Sequence, residues 1–437
     1  MQKLDINNFG PIPYCSLELK DFMIFIGEQA TGKSTICKCV YFFRLVRDEI
    51  KRDLHDIISN GLVEGKDFSL AINNRLRFVF NSMFGFTKLQ DSFSLQFTYK
   101  ESISLAIAKS ESIKLIKFAF SMSLKDKIKE LESFADSEYK ILASLDNSQA
   151  YYLQLEKNKI FQSIDIMVND LFNDAHEIFY IPSGRGLISL LTEQQMNIDL
   201  KNMDYITSNF LKLIQSNRPS FDVGLNEFIQ SDDMLSKSQI INKKRRIDHD
   251  IKGILKGEYC YKDDKEYILI NEKNYLPINY VSSGQQEIVW ILNLLSLWML
   301  ENKQIFVVIE EPEAHLYPAT QKSIIDYIAL FANSNSNQVM ITTHSPYILT
   351  AANNLLYAGR VGSSNKEVDK VIEEDKWLKI DSFGAFMVGK SHENYIQSII
   401  DDELEEIAAE EIDNVSGDIS KTYSAIYNLG VKNEFTK

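Results

Sequence analysis

The stretch Gly27-Glu28-Gln29-Ala30-Thr31-Gly32-Lys33-Ser34 matches the pattern GxxxxGK[ST] at every fixed position. It follows a short apolar run, Phe22 to Ile26, that is typical of a strand covered on both faces. It precedes a predicted helix from about Ser34 to Arg47. Glycines let a backbone wrap around phosphate, and the amides at a helix N-terminus supply partial positive charge. This context predicts a phosphate-binding loop in an α/β fold.

Residues of this glycine loop (residues 27–34) have distinct expected roles. Lys33 would reach the β- and γ-phosphates of ATP, and the Ser34 hydroxyl would bind Mg²⁺. The residues predicted to contact the nucleotide are Gly27, Glu28, Gln29, Ala30, Thr31, Gly32, Lys33, Ser34 and Thr35. ATP and Mg²⁺ are therefore the predicted ligands.

Two adjacent carboxylates follow a second apolar strand. The run from Ile305 to Ile309 ends in Glu310 and Glu311. We assign Glu310 to the metal, because carboxylate oxygens are ligands that Mg²⁺ accepts. We assign Glu311 as the base that polarises the attacking water. Two acids after a strand are weak evidence alone, but the glycine loop favours this functional interpretation.

Two further motifs lie nearby in the sequence. Val281-Ser282-Ser283-Gly284-Gln285-Gln286-Glu287 precedes an apolar helix and offers a hydroxyl and bare amides, although an ordinary capped helix start would look the same. Ile341-Thr342-Thr343-His344-Ser345-Pro346 follows a third apolar strand. His344 would lie where a sensor of the γ-phosphate is needed, and it is the second predicted catalytic residue beside Glu311.

The order and spacing of these four motifs resemble the ABC-class ATPases of the OLD, RecF and SMC group. The sequence segments IEEPEAHLYP and ITTHSPYIL are similar to the corresponding segments of bacterial OLD-like ATPases. The resemblance covers about residues 1–50 and 175–350. It implies a site completed by a second copy, in which Ser283, Gly284 and Gln285 form the signature that contacts the γ-phosphate in trans. It also implies that residues 313–316 form the D-loop across the same interface.

The chain departs from this resemblance at several positions. Glu310 stands where many relatives have Asp, and Gln29 stands where Asn is usual. Gln96 is the candidate for the Q-loop, although an outward-facing strand residue fits its surroundings better. Arg185 is similar to the arginine of the family's IPxxR strand end. It would contact the nucleotide or the signature turn, or it would form a structural ion pair.

The predicted fold class is α/β, with an ABC-type P-loop head whose mixed sheet is flanked by helices. The head is discontinuous and comprises residues 1–50 and 175–350. An insertion, residues 51–174, is predicted to contain a β-hairpin and a helical hairpin. Within the head a helical insertion spans residues 187–256, and an acidic helical region spans residues 351–437.

Composition narrows the function classes. The formal net charge of −14 over 437 residues disfavours a surface that coats nucleic acid, although a local basic groove would still bind it. No apolar run reaches the length of a membrane span, and no secretory signal begins the sequence. The four cysteines lack paired spacing. We therefore expect a cytoplasmic protein that binds no membrane.

The resemblance leads to three functional hypotheses. The first is an ATPase that assembles with itself and controls a separately encoded effector, such as a nuclease, in an anti-phage defence system like PARIS or Septu. The second is a DNA-repair ATPase like RecF or SMC. The third is a self-contained nuclease with a divergent catalytic insert. Arg245 and His249 come nearest to the Arg and His pair of ABC-linked RNases, but their spacing is slightly too short and an exposed helix fits them better.

Overall fold

The structure is a computed structural model. It describes residues 1–62, 68–85, 90–111, 113–145, 150–188, 203–221, 237–271, 274–389, 395–408, 420–424 and 426. The helices of this part are α1 (Lys33–Asn60), α2 (Phe68–Met83), α3 (Met122–Ser144), α4 (Ala150–Phe172), α5 (Tyr205–Asn217), α6 (Lys237–Leu255), α7 (Ser283–Glu301), α8 (Pro318–Asn333) and α9 (Pro346–Gly362). No helix in the described part is long and apolar enough to cross a bilayer.

The strands divide among four sheets. They are β1 (Lys3–Phe9), β2 (Ile12–Glu18), β3 (Phe22–Ile26), β4 (Phe93–Lys100), β5 (Ile103–Ser110), β6 (Ile113–Phe120), β7 (Glu177–Ile181), β8 (Glu258–Lys262), β9 (Lys265–Asn271), β10 (Asn274–Pro277), β11 (Ile305–Glu310), β12 (Gln338–Thr343), β13 (Phe383–Val388), β14 (Ile396–Ser398), β15 (Ile400–Asp401) and β16 (Glu406–Ile407). The mixture of parallel and antiparallel sheets with flanking helices confirms the α/β fold class.

The central sheet has the strand order β14-β13-β3-β12-β11-β7. Strands β13, β3, β12, β11 and β7 run parallel, and β14 is antiparallel at the edge. Parallel strands end on the same side of a sheet. We call that side the catalytic edge, and it is formed by the residues that follow Ile26, Ile181, Ile309 and Thr343. The topology thereby brings motifs far apart in sequence to one side of the molecule.

Two apolar cores enclose this sheet. Alternate residues of a strand face opposite sides, so Phe22 and Ile24 of β3 join one core whereas Met23 and Phe25 join the other. The first core contains residues of α7, α8 and α9. The second contains α1 and an antiparallel sheet of order β2-β1-β4-β5-β6. The site lies at the end of the strands that both cores hold in place.

The predicted insertion of residues 51–174 is joined closely to the head. Helix α1 crosses its boundary and continues to Asn60, beyond the predicted end at Arg47. The predicted hairpin is present as β4 and β5, and β6 adds a third strand that we did not predict. Strand β4 also pairs with β1 of the head, with Leu95 opposite Ile6. Helices α3 and α4 supply the predicted helical pair.

The prediction of an acidic helical region at residues 351–437 was wrong for the part after α9 that forms strands. Residues Phe383–Val388 form β13, which pairs in parallel with β3, and β14 pairs with β13. Rings of the two parallel strands stack, with 5.5 Å between the centroids of Phe25 and Phe386. A short apolar run is ambiguous between helix and strand until a partner strand is known. Residues 409–419 and 427–437, which carry part of the predicted acidic region, lie outside the described residues.

Candidate nucleotide-binding site

The glycine loop connects β3 to α1, and its backbone adopts left-handed conformations at three positions. The φ angles are 154° at Gly27, 64° at Ala30 and 92° at Gly32. A Cβ atom on Gly27 would lie 2.3 Å from the carbonyl oxygen of Val388, and one on Gly32 would lie 2.8 Å from Cγ1 of Ile12. Because other segments of the protein pack so closely here, both fixed glycine positions of the motif require glycine.

Lys33 lies inside this loop. Its Nζ donates to the carbonyl oxygens of Gly27 at 2.9 Å and Glu28 at 2.7 Å. Burial lowers the pKa of Lys33, while the nearby carboxylates of Glu311 and Glu313 act in the opposite direction. The ammonium is thus held where the amides at the start of α1 also point, and an anion bound there would meet both.

The remaining loop residues surround Lys33. Glu28, Gln29 and Ala30 are exposed at the crest of the loop, and Ser34 and Thr35 are half-buried in the first turns of α1. Thr31 is held from both sides, because its hydroxyl donates to Glu28 at 2.9 Å and its carbonyl accepts from the Tyr395 hydroxyl at 3.0 Å. The crest is accessible to a ligand, and the base of the loop is fixed by hydrogen bonds.

Glu310 ends β11 at the catalytic edge and is buried. One carboxylate oxygen accepts a hydrogen bond of 2.6 Å from the Tyr180 hydroxyl, and the other accepts one of 3.2 Å from the Ser183 amide. Burial, followed by the charge of Glu310, raises the pKa of Tyr180 well above its ordinary value. The hydroxyl therefore stays protonated and donates, which fixes the orientation of the carboxylate predicted to hold the metal.

Glu311 and His344 lie together and are accessible to solvent. Their side chains are 39% and 37% exposed, and Nε2 of His344 is 3.7 Å from Oε1 of Glu311. The backbone of Glu311 is left-handed, with φ at 43°. Its amide donates to the carbonyl of Thr342 at 2.8 Å. The structure thus brings the two predicted catalytic side chains into one exposed pair at the catalytic edge.

Glu313, which the resemblance placed in the D-loop, points into the protein. Its Oε1 accepts from the Thr343 hydroxyl at 2.7 Å and from the His344 amide at 2.8 Å. Burial raises the pKa of Glu313, and these hydrogen bonds oppose that rise. The side chain therefore orients the segment that carries His344.

The signature turn (residues 282–285) begins α7. The Ser282 hydroxyl accepts from the amide of Gln285, whose side chain accepts from the Ser282 amide, so the ordinary capping box is present. Ser283 is exposed, and Gly284 is packed so closely that an added Cβ would lie 2.9 Å from the carbonyl of His315. The Gln285 side chain also donates to Leu255 at 2.9 Å. Ser282 is exposed too, but its hydroxyl accepts the capping hydrogen bond, so the Ser283 hydroxyl is the one we consider for contact with a second molecule.

Arg185 is fully buried, at 0% exposure, so it presents no surface to a nucleotide. It bonds to the α7 residue Glu287 and to backbone carbonyls at the catalytic edge. Of the two open roles, the structure shows the structural ion pair, with 3.4 Å between Nε of Arg185 and the carboxylate of Glu287.

Other candidates lie away from this edge. Gln96 is exposed in the middle of β4, which fits the outward-facing strand residue rather than a Q-loop. Arg245 and His249 are both exposed on α6. Their neighbour Arg246 forms ion pairs with Glu373 and Asp375, so its guanidinium group is bound to the protein's own carboxylates.

The residues present fit a nucleotide and its metal ion. A loop with left-handed backbone, a helix N-terminus and a buried lysine together suit a polyphosphate. Among the described residues, no group of three or more His, Cys, Asp or Glu side chains could hold a metal ion by itself. Mg²⁺ commonly takes one or two protein ligands and completes its shell with phosphate and water. Ser34 and Glu310 would supply that protein share.

The strand order, the glycine loop after β3 and the carboxylates after β11 define an ABC-type P-loop ATPase. The chain belongs to the AAA ATPase domain family, which matches residues 1–349 and whose members are ATP-hydrolysing enzymes.

Other similarities are more distant, and the chain spans well under half the length of the curated relative it matches. The lipoprotein-releasing system ATP-binding protein LolD of Neorickettsia sennetsu (strain ATCC VR-367 / Miyayama) is 28% identical over 91 residues. The match covers 21% of this chain and 38% of that relative. An SMC head bound to the C-winged helix domain of ScpA has a TM-score of 0.43 at 10% identity, covering 92% of this chain and 98% of that one. The SMC head domain from Thermotoga maritima has a TM-score of 0.34 at 12% identity, covering 80% and 90%.

Several contacts within the site were not predicted from the sequence. Tyr180 and Ser183 orient Glu310, Glu313 orients the His344 segment, and Tyr395 holds the glycine loop. Tyr180 and Ser183 flank the end of a predicted strand, so their position was a usable signal. Tyr395 carried none, because its contact depends on the pairing of β13 with β3.

Proposed function

We propose that two copies of the chain bind ATP and Mg²⁺ between them and hydrolyse ATP at composite sites. The observation that carries this proposal is the exposed pair of Glu311 and His344, 3.7 Å apart at the same edge as Lys33. A carboxylate open to solvent beside a phosphate loop can accept a proton from an attacking water.

Each protein group has one task in this proposal. Lys33 and the amides of the glycine loop bind the phosphates, and Glu311 takes the proton of the attacking water. His344 donates a hydrogen bond to the terminal phosphate. A bound Mg²⁺ supplies positive charge that stabilises the developing charge on the phosphates. Glu310 and Ser34 hold that ion.

The exposure of the signature turn supports a role for the second copy. Ser283 is exposed at the N-terminus of α7, where a helix offers positive partial charge to an anion. Gly284 is packed on His315 of its own chain, so the turn is fixed on the surface. We therefore propose that this turn contacts the γ-phosphate of the ATP bound by the partner copy.

The test of the base assignment is Glu311→Gln, which keeps the shape of the side chain and removes its basicity. We expect ATP to remain bound and the hydrolysis rate to fall about 10²- to 10⁴-fold, the usual contribution of a positioned base. Glu177→Gln is the matched control, because Glu177 lies at the opposite end of β7 and is half-exposed. Hydrolysis by Glu311→Gln at the wild-type rate would refute the assignment.

The test of the composite site is Ser283→Arg. A bulky cation in the signature turn would prevent close contact with a partner's nucleotide, so hydrolysis should stop while an isolated copy still binds ATP. Ser334→Arg, at the C-terminal end of α8, is a control for adding the same charge elsewhere. Unchanged hydrolysis by Ser283→Arg would show that each copy acts alone.

We further propose that this ATPase is the regulatory subunit of an anti-phage defence complex and controls a separately encoded effector such as a nuclease. This role is supported by the resemblance of residues 305–350 to OLD-like ATPases. The net charge of −14 favours a basic protein partner over nucleic acid. The proposal predicts co-purification with the product of a neighbouring gene. Protection against phage by this chain alone, or plasmid cleavage by the pure protein, would contradict it.

A further inference from the structure

We infer that Arg185 couples the two composite sites of the dimer, because it connects the signature helix of each copy to the catalytic glutamate of the same copy. This inference rests on the proposed composite site. Arg185 is fully buried and acts through the backbone of other residues, so we describe it as a positioning residue.

The guanidinium group of Arg185 bridges three segments of backbone. Its Nε donates to the carbonyl of Glu287 at 2.6 Å, and Nη1 donates to Pro182 at 2.7 Å. Nη1 also donates to Glu310 at 2.6 Å, and Nη2 donates to Glu311 at 2.9 Å. A planar guanidinium with donors in fixed directions holds these carbonyls in one relative geometry.

A second set of bonds ties Arg185 to helix α7. The carboxylate of Glu287 accepts from the Arg185 amide and from the Gly186 amide, each at 3.0 Å. Nε of Arg185 is also 3.4 Å from this carboxylate. Glu287 lies four residues after Ser283, and residues four apart share one face of a helix. A shift of the signature turn therefore moves Glu287, and Arg185 moves with it.

The bond to Glu311 acts on a strained residue. A left-handed backbone at a residue other than glycine is strained and persists only where the surroundings hold it. Two hydrogen bonds hold Glu311. Its amide donates to the carbonyl of Thr342, and its carbonyl accepts from Arg185. The direction of its carboxylate depends on that backbone geometry. Arg185 thus helps to determine where the base points.

Coupling follows from the two-fold arrangement of such a dimer. The signature turn of one copy contacts the nucleotide of its partner, whereas Glu311 of that copy acts on its own nucleotide. Engagement of one site therefore orients the base of the other through Arg185. Hydrolysis at an individual site should require that both signature turns are engaged.

Mixed dimers test this directly. Two differently tagged copies, one wild-type and one Ser283→Arg, are purified as a pair. One of the two sites combines the glycine loop and Glu311 of the variant copy with the intact Ser283 turn of the wild-type copy. No residue of that site is changed. Without coupling, the mixed dimer keeps half of the wild-type rate. With coupling, that site slows because its own signature turn is not engaged, and we expect less than about one tenth of the wild-type rate.

Arg185→Lys tests the residue itself. A lysine keeps the charge, but a single ammonium cannot bridge four carbonyls in fixed directions. We expect kcat to fall at least about tenfold while the KM for ATP changes less than about twofold, as for an interaction that acts only in the transition state. Purely structural damage would lower the melting temperature without lowering kcat more than it changes KM.

Arg47→Lys is the matched control. Arg47 is also buried, at 2% exposure, and it donates to the carbonyls of Asp174 and His176 just before the opposite end of β7. Its replacement should cost stability and leave kcat per folded molecule unchanged. Glu287→Gln is the second variant if Arg185→Lys does not fold, and it should lower kcat in the same way. An unchanged kcat in the folded variants would overturn the inference.

Failure of this inference can be distinguished from failure of the proposed function. If the dimer with Ser283→Arg in both copies hydrolyses ATP normally, then the composite site itself is wrong. If that dimer is inactive and the mixed dimer keeps half of the rate, then the composite site stands and the coupling is refuted.

Discussion

Gly389 and Tyr395, which follow β13 and precede β14, lie directly against the glycine loop and suggest a test of how the loop is held. The Tyr395 hydroxyl donates to the Thr31 carbonyl at 3.0 Å. An added Cβ on Gly389 would lie 2.6 Å from Cγ2 of Thr31, and one on Gly27 would lie 2.3 Å from the carbonyl of Val388. The C-terminal strands thus support the loop from a region beyond residue 349, where the family match ends.

Tyr395→Phe removes this hydrogen bond and leaves the ring in place. The net contribution of a hydrogen bond between uncharged groups is about 0.5–1.5 kcal/mol. If the bond holds the loop in its binding conformation, the nucleotide must supply that free energy on binding. We therefore expect the Kd for ATP to rise about two- to twelvefold, with little change in kcat at saturating ATP.

Isothermal titration calorimetry with ATP in the absence of hydrolysis would measure this change. Tyr357→Phe, in which the altered ring is half-exposed on α9, is the control for loss of a phenolic hydroxyl. A Kd for Tyr395→Phe within about 1.5-fold of the wild-type value would show that the loop keeps its conformation without the bond, and our reasoning about the C-terminal strands would be wrong.

Three further predictions concern charge, packing and pH. Lys33→Ala removes the buried ammonium of the loop, and equilibrium binding should show ATP affinity reduced about 10- to 150-fold, the range for hydrogen bonds to charged groups. Gly362→Ala would place Cβ 2.2 Å from the Trp377 ring and should lower the free energy of unfolding by about 1–2 kcal/mol in urea titrations. Gly253→Ala, which has open space, should raise it by up to about 1 kcal/mol. Burial would raise the pKa of Asp174, but Arg44, His176 and Arg47 outweigh it and lower that pKa below the ordinary value for an aspartate. Asp174→Asn should therefore destabilise the fold at about pH 7 and lose this effect as the pH falls below about 4.

The signs in the Asp174 prediction follow from linkage. A carboxyl whose pKa is lower in the folded state stabilises the fold when it is ionised in both states. That contribution is present above the unfolded-state pKa and is lost as the pH falls through the folded-state pKa. Urea titrations of wild type and variant at two pH values measure it. A difference between them that stayed constant on acidification would contradict the assignment to Asp174.

Some of the fold could be predicted because local patterns were strong. The strands before the glycine loop and before Glu310 are short apolar runs, and both are present with nearly the expected bounds. Helix α1 was predicted too short, although Ile50, Leu54, Ile57 and Ile58 continue its buried face and could have revealed its length.

Other features could not be predicted because they depend on distant partners. The run at Phe383 is a strand only because β3 lies beside it and supplies parallel hydrogen bonds. The two roles open for Arg185 could not be separated from sequence, because burial and the identity of bonded carbonyls are properties of the assembled edge. Glu313 and Glu311 are two residues apart, yet one points inward and the other outward.

The sequence by itself determined the chemistry of the site: a glycine loop that can wrap phosphate, a lysine and a serine after it, carboxylates after a buried strand, and a histidine after another. These depend on residue type and local backbone conformation, which neighbours in the chain control. The tertiary structure alone decided which groups act together. Hydrogen bonds between segments more than a hundred residues apart, such as those from Arg185 to Glu287 and Glu311, exist only once both cores have packed and aligned the strand ends.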